Sequence, residues 1–390
     1  MGEMAYRILV AAGMLLLGGL SGWRSAQLAL SLTPDDAEYH FRQWQGQADS
    51  DTGNSELDRA LELNPRYTAA WIARGLGAET AGDRREAEAA LLHAARMDRT
   101  YMPRWTLAGF YLRHGDLADF WIWARNAAEM AYDPASLFQL CWQASGDPRE
   151  ILDRAIPPQP RIRRAYLDFL VRTKRLEAAR PLAEEIGRTA DSSDLARLLE
   201  YCDSEITRRH AAPALEIWNV LAARHVIPYG ALEPSAGVSL TNGDFSSQPL
   251  LRGFDWRTAR VEGASLSIDT LRREMEVSLE GRQPEFCDFI EQYVPVMSGA
   301  GYRLHYRYRT QNLAAETGLG FSVLDARTER EFASGEVAAA SGDWRDGAFS
   351  ISTPAGCQLM RILLHYRRPS GAMRAEGGAV FTRFWLERAN

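Results

Sequence analysis

The sequence is poor in cysteine and histidine and carries no basic excess. Its four cysteines, Cys141, Cys202, Cys287 and Cys357, follow no CxxC spacing, so the pattern of a structural zinc site is missing. Two fall in each half. In an oxidising compartment Cys287 and Cys357 are the pair expected to bridge the second half, although sequence alone leaves connectivity open. The net charge is -6 over 390 residues, which argues against a nucleic-acid binder, since such proteins show a basic patch or stripe. There is no GxSxG, no HExxH, no phosphate-binding loop and no dinucleotide fingerprint, and the seven histidines are scattered. No catalysis, metal or cofactor is therefore expected. Carboxylates are plentiful, and Glu285 with Glu316 is the pair a glycosidase-type site would draw on.

Long apolar runs are also rare. One exists, ILVAAGMLLLGGLSGW, sixteen uncharged residues from Ile8 to Trp23. As a helix it spans roughly 24 Å against a hydrocarbon core of about 30 Å. Tyr6 and Trp23 flank it as interfacial aromatics do. Arg7 precedes it, while Asp35, Asp36 and Glu38 follow. No A-x-A cleavage site comes directly after. Residues 1–33 are read as an uncleaved signal anchor, with a cleaved signal peptide as the alternative. The rest of the chain would then lie on the periplasmic side of an inner membrane.

Residues 34–225 are written in helical language. Asn64-Pro65-Arg66-Tyr67 precedes Ala70-Trp71, and Asp98-Arg99-Thr100-Tyr101 precedes Arg104-Trp105, so Trp71 and Trp105 stand 34 positions apart. A Gly-Asp turn follows each, at Gly82-Asp83 and Gly115-Asp116, and then a helix rich in small residues. This resembles the tetratricopeptide repeat over roughly 35–220, most clearly over 55–131. The resemblance implies an α-solenoid of helix pairs whose groove binds a protein partner. Trp121 and Trp123, two apart on one helix, cannot both face one core. Arg161, Arg163 and Arg164 read as a solvated face.

Residues 226–237, with two prolines and two glycines, read as a linker. From 238 to 390 the period becomes two. Met275, Val277 and Leu279 alternate with Glu276, Ser278 and Glu280. Tyr302, Leu304, Tyr306 and Tyr308 alternate with Arg303, His305, Arg307 and Arg309. Met360, Ile362, Leu364 and Tyr366 alternate with Arg361, Leu363, His365 and Arg367. Short strands at this spacing predict an antiparallel β-sandwich.

The opening LTNGDF, the YVPV segment with GYRL behind it, and GDWRDGAFSIST resemble carbohydrate-binding modules of the jelly-roll, galactose-binding-like type. The resemblance implies glycan binding. It departs at Ser246, where many such modules have Glu, and at FTRFWLER, which lacks the usual Asp pair, so no structural calcium is expected although Asp244 is suited to be one ligand. Sugars are held by aromatic faces and planar polar side chains. The candidates are Trp256, Arg257, Glu285, Glu316 and Trp344, with Tyr306, Tyr308, Trp385 and Gln283 beside them, and Trp256 foremost. A second set, Arg303, His305, Arg307, Arg361 and His365, would form a basic face for an anionic glycan if their strands are neighbours.

The expected protein is thus multidomain α + β: a membrane anchor, a repeat solenoid and a jelly-roll sandwich. It would act as a membrane-anchored adaptor that grips a protein and a polysaccharide near exopolysaccharide or cell-surface assembly. A scaffold without glycan binding and a glycan-processing enzyme are the rivals.

Overall fold

The computed structural model describes residues 35–46, 51–340 and 342–389, without the side chains of 51–54. The expected anchor lies outside the described residues, and among these no helix is long and apolar enough to cross a membrane. Contacts divide the chain into two compact units, Met1–Arg163 and Arg164–Asn390.

The first unit contains α1 (Ala37–Gly46), α2 (Asp51–Leu63), α3 (Thr68–Thr80), α4 (Arg84–Met97), α5 (Tyr101–Arg113), α6 (Leu117–Met130), α7 (Ala135–Ala144) and α8 (Pro148–Arg154). The pairs α1/α2, α3/α4 and α5/α6 pack as hairpins. Their sharp turns come from Gly82 and Gly115, at φ 87° and 74°. Each lets the chain fold back so that the last carbonyls of the first helix are satisfied: Gly82 N donates to Glu79 O and Asp83 N to Ala78 O, and Gly115 N and Asp116 N repeat this on Leu112 and Tyr111. Asp83 then caps α4 by accepting from Glu86 N at 3.0 Å. Close packing needs small residues: a Cβ on Gly75 would stand 2.6 Å from Leu91 Cγ. One period apart, Arg113 grips Glu79 with two bonds of 2.8 and 2.7 Å. Trp121 is buried and Trp123 half-buried. Arg161 is exposed as expected, and its guanidinium also donates to Ala131 O and Glu129 O and so closes the C-terminal end of α6.

The second unit begins within α9 (Pro160–Arg172) and continues through α10 (Leu176–Thr189), α11 (Leu195–Thr207) and α12 (Ala211–Ala223). Arg164, also expected on a solvated face, chelates the buried Asp194 at 2.7 and 2.9 Å. The hairpin turns recur without glycine, at Lys174 (φ 59°) and Arg209 (φ 65°), with the same pair of backbone bonds after Lys174. This is why the later repeats are hard to read in the sequence. A side chain in this left-handed conformation is strained, so Lys174→Gly is expected to raise stability by about 0.5–1 kcal/mol, measured as a shift in the urea unfolding midpoint.

The sandwich comprises β1 (Arg257–Thr258), β2 (Ala264–Asp269), β3 (Glu274–Glu280), β4 (Phe286–Pro295), β5 (Gly301–Gln311), β6 (Leu319–Asp325), β7 (Glu331–Glu336), β8 (Arg345–Ser352), β9 (Leu359–Arg367) and β10 (Glu376–Ala389). These form two five-stranded sheets, β1-β4-β9-β6-β7 and β2-β3-β10-β5-β8, antiparallel throughout. The inward sets on β3, β5 and β9 join one core with Phe321 and Phe381. The expected Cys287–Cys357 bridge is absent, and both thiols are free and buried. Cys287 stands opposite Tyr366 near the end of β9, whereas Cys357 precedes its start at Leu359. That separation along a strand is about 25–30 Å, far beyond disulfide reach.

The LTNGDF stretch is a structural plug. Asn242 takes φ 48° and its amide bridges both backbone groups of Ser247. Phe245 enters the core. Gly243 O accepts from Phe384 N at 2.6 Å, at the point where β10 gains one residue between Thr382 and Trp385. This bulge reverses the inward–outward alternation, so Phe384 points into the core and Trp385 to solvent at 40 % exposure.

Within this unit the helices are pinned to the sandwich. Asp203 on α11 accepts from Gly253 N and from Arg257, both at 2.7 Å. Trp218 on α12 packs edge-on to Phe254, and Gly253 is obligatory there because a Cβ would lie 2.5 Å from the Trp218 ring. Residues 226–237 are held as well. Leu232 N and O both bond the Asn219 amide, and Tyr229 OH donates to the buried Asp255 at 2.7 Å. Burial pushes the Asp255 carboxyl up in pKa, against the lowering effect of its four hydrogen bonds.

Candidate functional site on a sheet face

The structure corrects several of the residues singled out above. Trp256, the foremost sugar platform, is 2 % exposed. Its indole N–H donates to Asn242 O at 3.1 Å and its ring packs on Phe245 and Phe384. Arg257 serves the helix seam through Asp203 and lies over the Tyr293 ring. Tyr306 and Tyr308 are core residues, and Gln283 is buried with its amide donating to Ala375 O. Glu285 and Glu316 are both exposed; Glu285 pairs with Arg368 at 3.0 Å.

The single basic face does not exist. Arg303, His305 and Arg307 belong to β5, and Arg361 and His365 to β9, which lie in different sheets and turn their charged sides away from each other. Each group also meets acid. His305 bonds Glu387 at 2.9 Å, Arg309 meets Glu274, and Arg361 meets Glu329 at 2.9 Å and Glu291 at 3.6 Å. On the β5 side, Trp344 is half-buried beneath the guanidinium of Arg309, 4.7 Å from the ring centroid, while Trp385 stacks on His305 at 4.6 Å.

The outer face of the β1-β4-β9-β6-β7 sheet is different. Register places Asp288, His365, Gly320 and Glu336 in one row across β4, β9, β6 and β7. The imidazole lies against Gly320: a Cβ there would touch His365 Nε2 at an ordinary 3.4 Å and stand closer, 3.1 Å, to Gly335 O. The tautomer follows from the neighbours. Ser322 has one hydroxyl proton and donates it to Glu331 at 2.8 Å, so His365 Nδ1, 3.4 Å from that hydroxyl, is the donor. Nε2 is left as an acceptor with no protein partner among the described residues, and it is not sealed from solvent. Burial, and then the charge of Arg367, push the His365 pKa down, with Asp288 and Glu331 opposing, so the ring is neutral at pH 7.

An aromatic ring borders this acceptor. Phe286, at the start of β4, is 54 % exposed with its centroid 5.9 Å from that of His365. Arg367 lies 5.5 Å from the Phe286 centroid. An exposed ring beside a fixed neutral acceptor, two serine hydroxyls (Ser322 and its cross-strand partner Ser334) and carboxylates can stack on an apolar sugar face and accept from its hydroxyls. Of the residues read from sequence, the structure brings only His365 into this cluster; Glu285 adjoins Phe286 in the chain, and Glu316 lies in the loop before β6. Phe286, Asp288, Gly320, Ser322, Glu331 and Glu336 were not foreseen. A glycine at an outward strand position was the available signal. Which strands would neighbour β9 was not legible.

The chain matches no family model and no curated protein. Solved structures similar to part of it include one described as CBM4 structure and function, at TM-score 0.30 and 12% identity over 39% of this chain and 100% of that one. Another is a carbohydrate binding module from Cellvibrio mixtus lichenase 5A in complex with cellotriose, at TM-score 0.22 and 14% identity over 34% of this chain and 92% of that one. A third is Pseudomonas aeruginosa pilF, at TM-score 0.23 and 14% identity over 48% of this chain and 91% of that one. Values of this size assign no role to any residue here. The fold defines the protein as an α + β chain of helix hairpins and a two-sheet β-sandwich.

Proposed function

We propose that this protein is a glycan-binding adaptor whose sandwich holds a polysaccharide at the Phe286–His365 face and whose helix hairpins hold a protein partner. The observation that carries the reading is the neutral His365 acceptor, fixed through Ser322 and set beside the exposed Phe286 ring. Exposed Ile122 and Tyr132 in the first unit suit a protein contact. Anchoring through residues 1–33, with the remainder extracytoplasmic and near exopolysaccharide assembly, belongs to the same proposal and rests on the apolar run at 8–23.

The test is calorimetric titration of the full chain with neutral gluco- and xylo-oligosaccharides. Phe286→Ala is expected to weaken binding about tenfold or more, the order of one lost stacking contact. Its unfolding midpoint should hardly move, because the ring is more than half exposed. Trp385→Ala, on the opposite sheet, should bind as the parent does. Equal affinity of Phe286→Ala and parent would discard this site.

A further inference from the structure

We infer that the Phe286–His365 face selects glycans bearing free amino groups, that is, de-N-acetylated hexosamine polymers, over uronates. This rests on the glycan-binding reading above and names its ligand class. The groups along the row are all acceptors. Asp288 stands opposite His365 on one side, Glu336 lies beyond Gly320 on the other, and Glu331 approaches through Ser322. The imidazole is nine-tenths buried, its only donor is turned to Ser322, and its open Nε2 has no partner among the described residues. Glu336 O accepts from Tyr306 OH, but neither the Asp288 nor the Glu336 carboxylate has a hydrogen bond or ion pair with a described residue, and with Glu331 these make three carboxylates around one guanidinium, Arg367, which lies over the Phe286 ring. Arg368 and Arg374 share Glu285, at 3.0 and 3.9 Å, so one positive charge is left there against the three carboxylates of the row.

The row of Asp288, His365 and Glu336 side chains is acceptor-only and rewards ligand groups that donate, with Arg367 beside Phe286 as the cationic donor at its edge. Hydroxyls satisfy it, but an ammonium supplies three donors and a complementary charge, which makes the bonds charge-assisted. A carboxylate or sulfate supplies no donor and meets like charge. Ser322, Ser334 and the Phe286 ring keep the occupant a sugar rather than a lysine side chain, because they contact hydroxyls and a flat apolar face that lysine does not have.

The experiment compares hexamers of matched length, with the full chain at low and high salt: a glucosamine oligomer, its N-acetylated counterpart, a neutral gluco-oligosaccharide, an oligo-uronate, and a lysine hexapeptide. The glucosamine oligomer is expected to bind about tenfold tighter than the neutral one at low salt, with the difference shrinking as salt rises. The oligo-uronate should bind most weakly. Asp288→Asn and Glu336→Gln should each weaken the amine more than the neutral oligomer, narrowing the preference between them, because only the amine loses a charge-assisted bond. If the uronate or the N-acetylated oligomer binds as tightly as the free amine, in a manner that Phe286→Ala abolishes, the site stands and the ligand class is overturned. If the lysine peptide equals the amino-sugar, the face is a peptide site and the inference also falls. If no oligosaccharide binds at all, the glycan-binding reading itself is wrong.

Discussion

Trp256→Ala is expected to cost about 3–5 kcal/mol of stability, as the loss of a fully packed large aromatic does, and to abolish ligand binding only by unfolding the sandwich. The indole fills the space between Phe245 and Phe384 and satisfies Asn242 O. Deleting it leaves a cavity at the point where the NGDF plug meets β10. Chemical denaturation followed by tryptophan fluorescence and circular dichroism measures the loss. Trp256→Phe, which keeps a ring but drops the hydrogen bond, should lose much less. A folded Trp256→Ala with near-parental stability and no ligand binding would return Trp256 to the role read from sequence.

The second large effect belongs to Gly243. Here the reason is space, since its φ is not in the left-handed region that favours glycine. A Cβ would stand 2.1 Å from Phe384 O and 2.7 Å from Leu240 Cδ2. The nearest obstacle is backbone, so no rotamer change relieves it, and the Gly243 O to Phe384 N bond across the bulge must stretch or break. Gly243→Ala is therefore expected to destabilise by about 3 kcal/mol or more. Because the bulge sets the alternation of β10, the variant should also change the exposure of Trp385. Fluorescence quenching by a soluble quencher, recorded below the unfolding transition, reads that directly. Unchanged stability in Gly243→Ala would show that the turn and the bulge are not coupled.

Much of the architecture was legible because local chemistry fixes it. The Trp71–Trp105 period and the Gly-Asp turns gave the first hairpins, since a left-handed turn residue and a capping aspartate act within a few residues of themselves. Where Lys174 and Arg209 take over the glycine's conformation, the same turns left no mark in the sequence. Alternation on β3, β5 and β9 gave the sandwich, because a strand's two sides are fixed by its own geometry. The site was less legible. Trp256 stood in a loop-like context, and nothing local reveals that Phe245 and Phe384 close over it.

Sequence by itself determined that the chain is helical and then strand-based, and which strand sides are apolar. These depend on periodicity and composition, which are local or additive properties. Tertiary structure alone decided that β5 and β9 belong to different sheets, so one basic face became two acid-balanced ones. It also decided that a one-residue bulge turns Trp385 outward and that Asp288, His365, Gly320 and Glu336 share a row. Strand order and register are set by which apolar faces pack together across the whole domain, and that is a global choice no short stretch encodes.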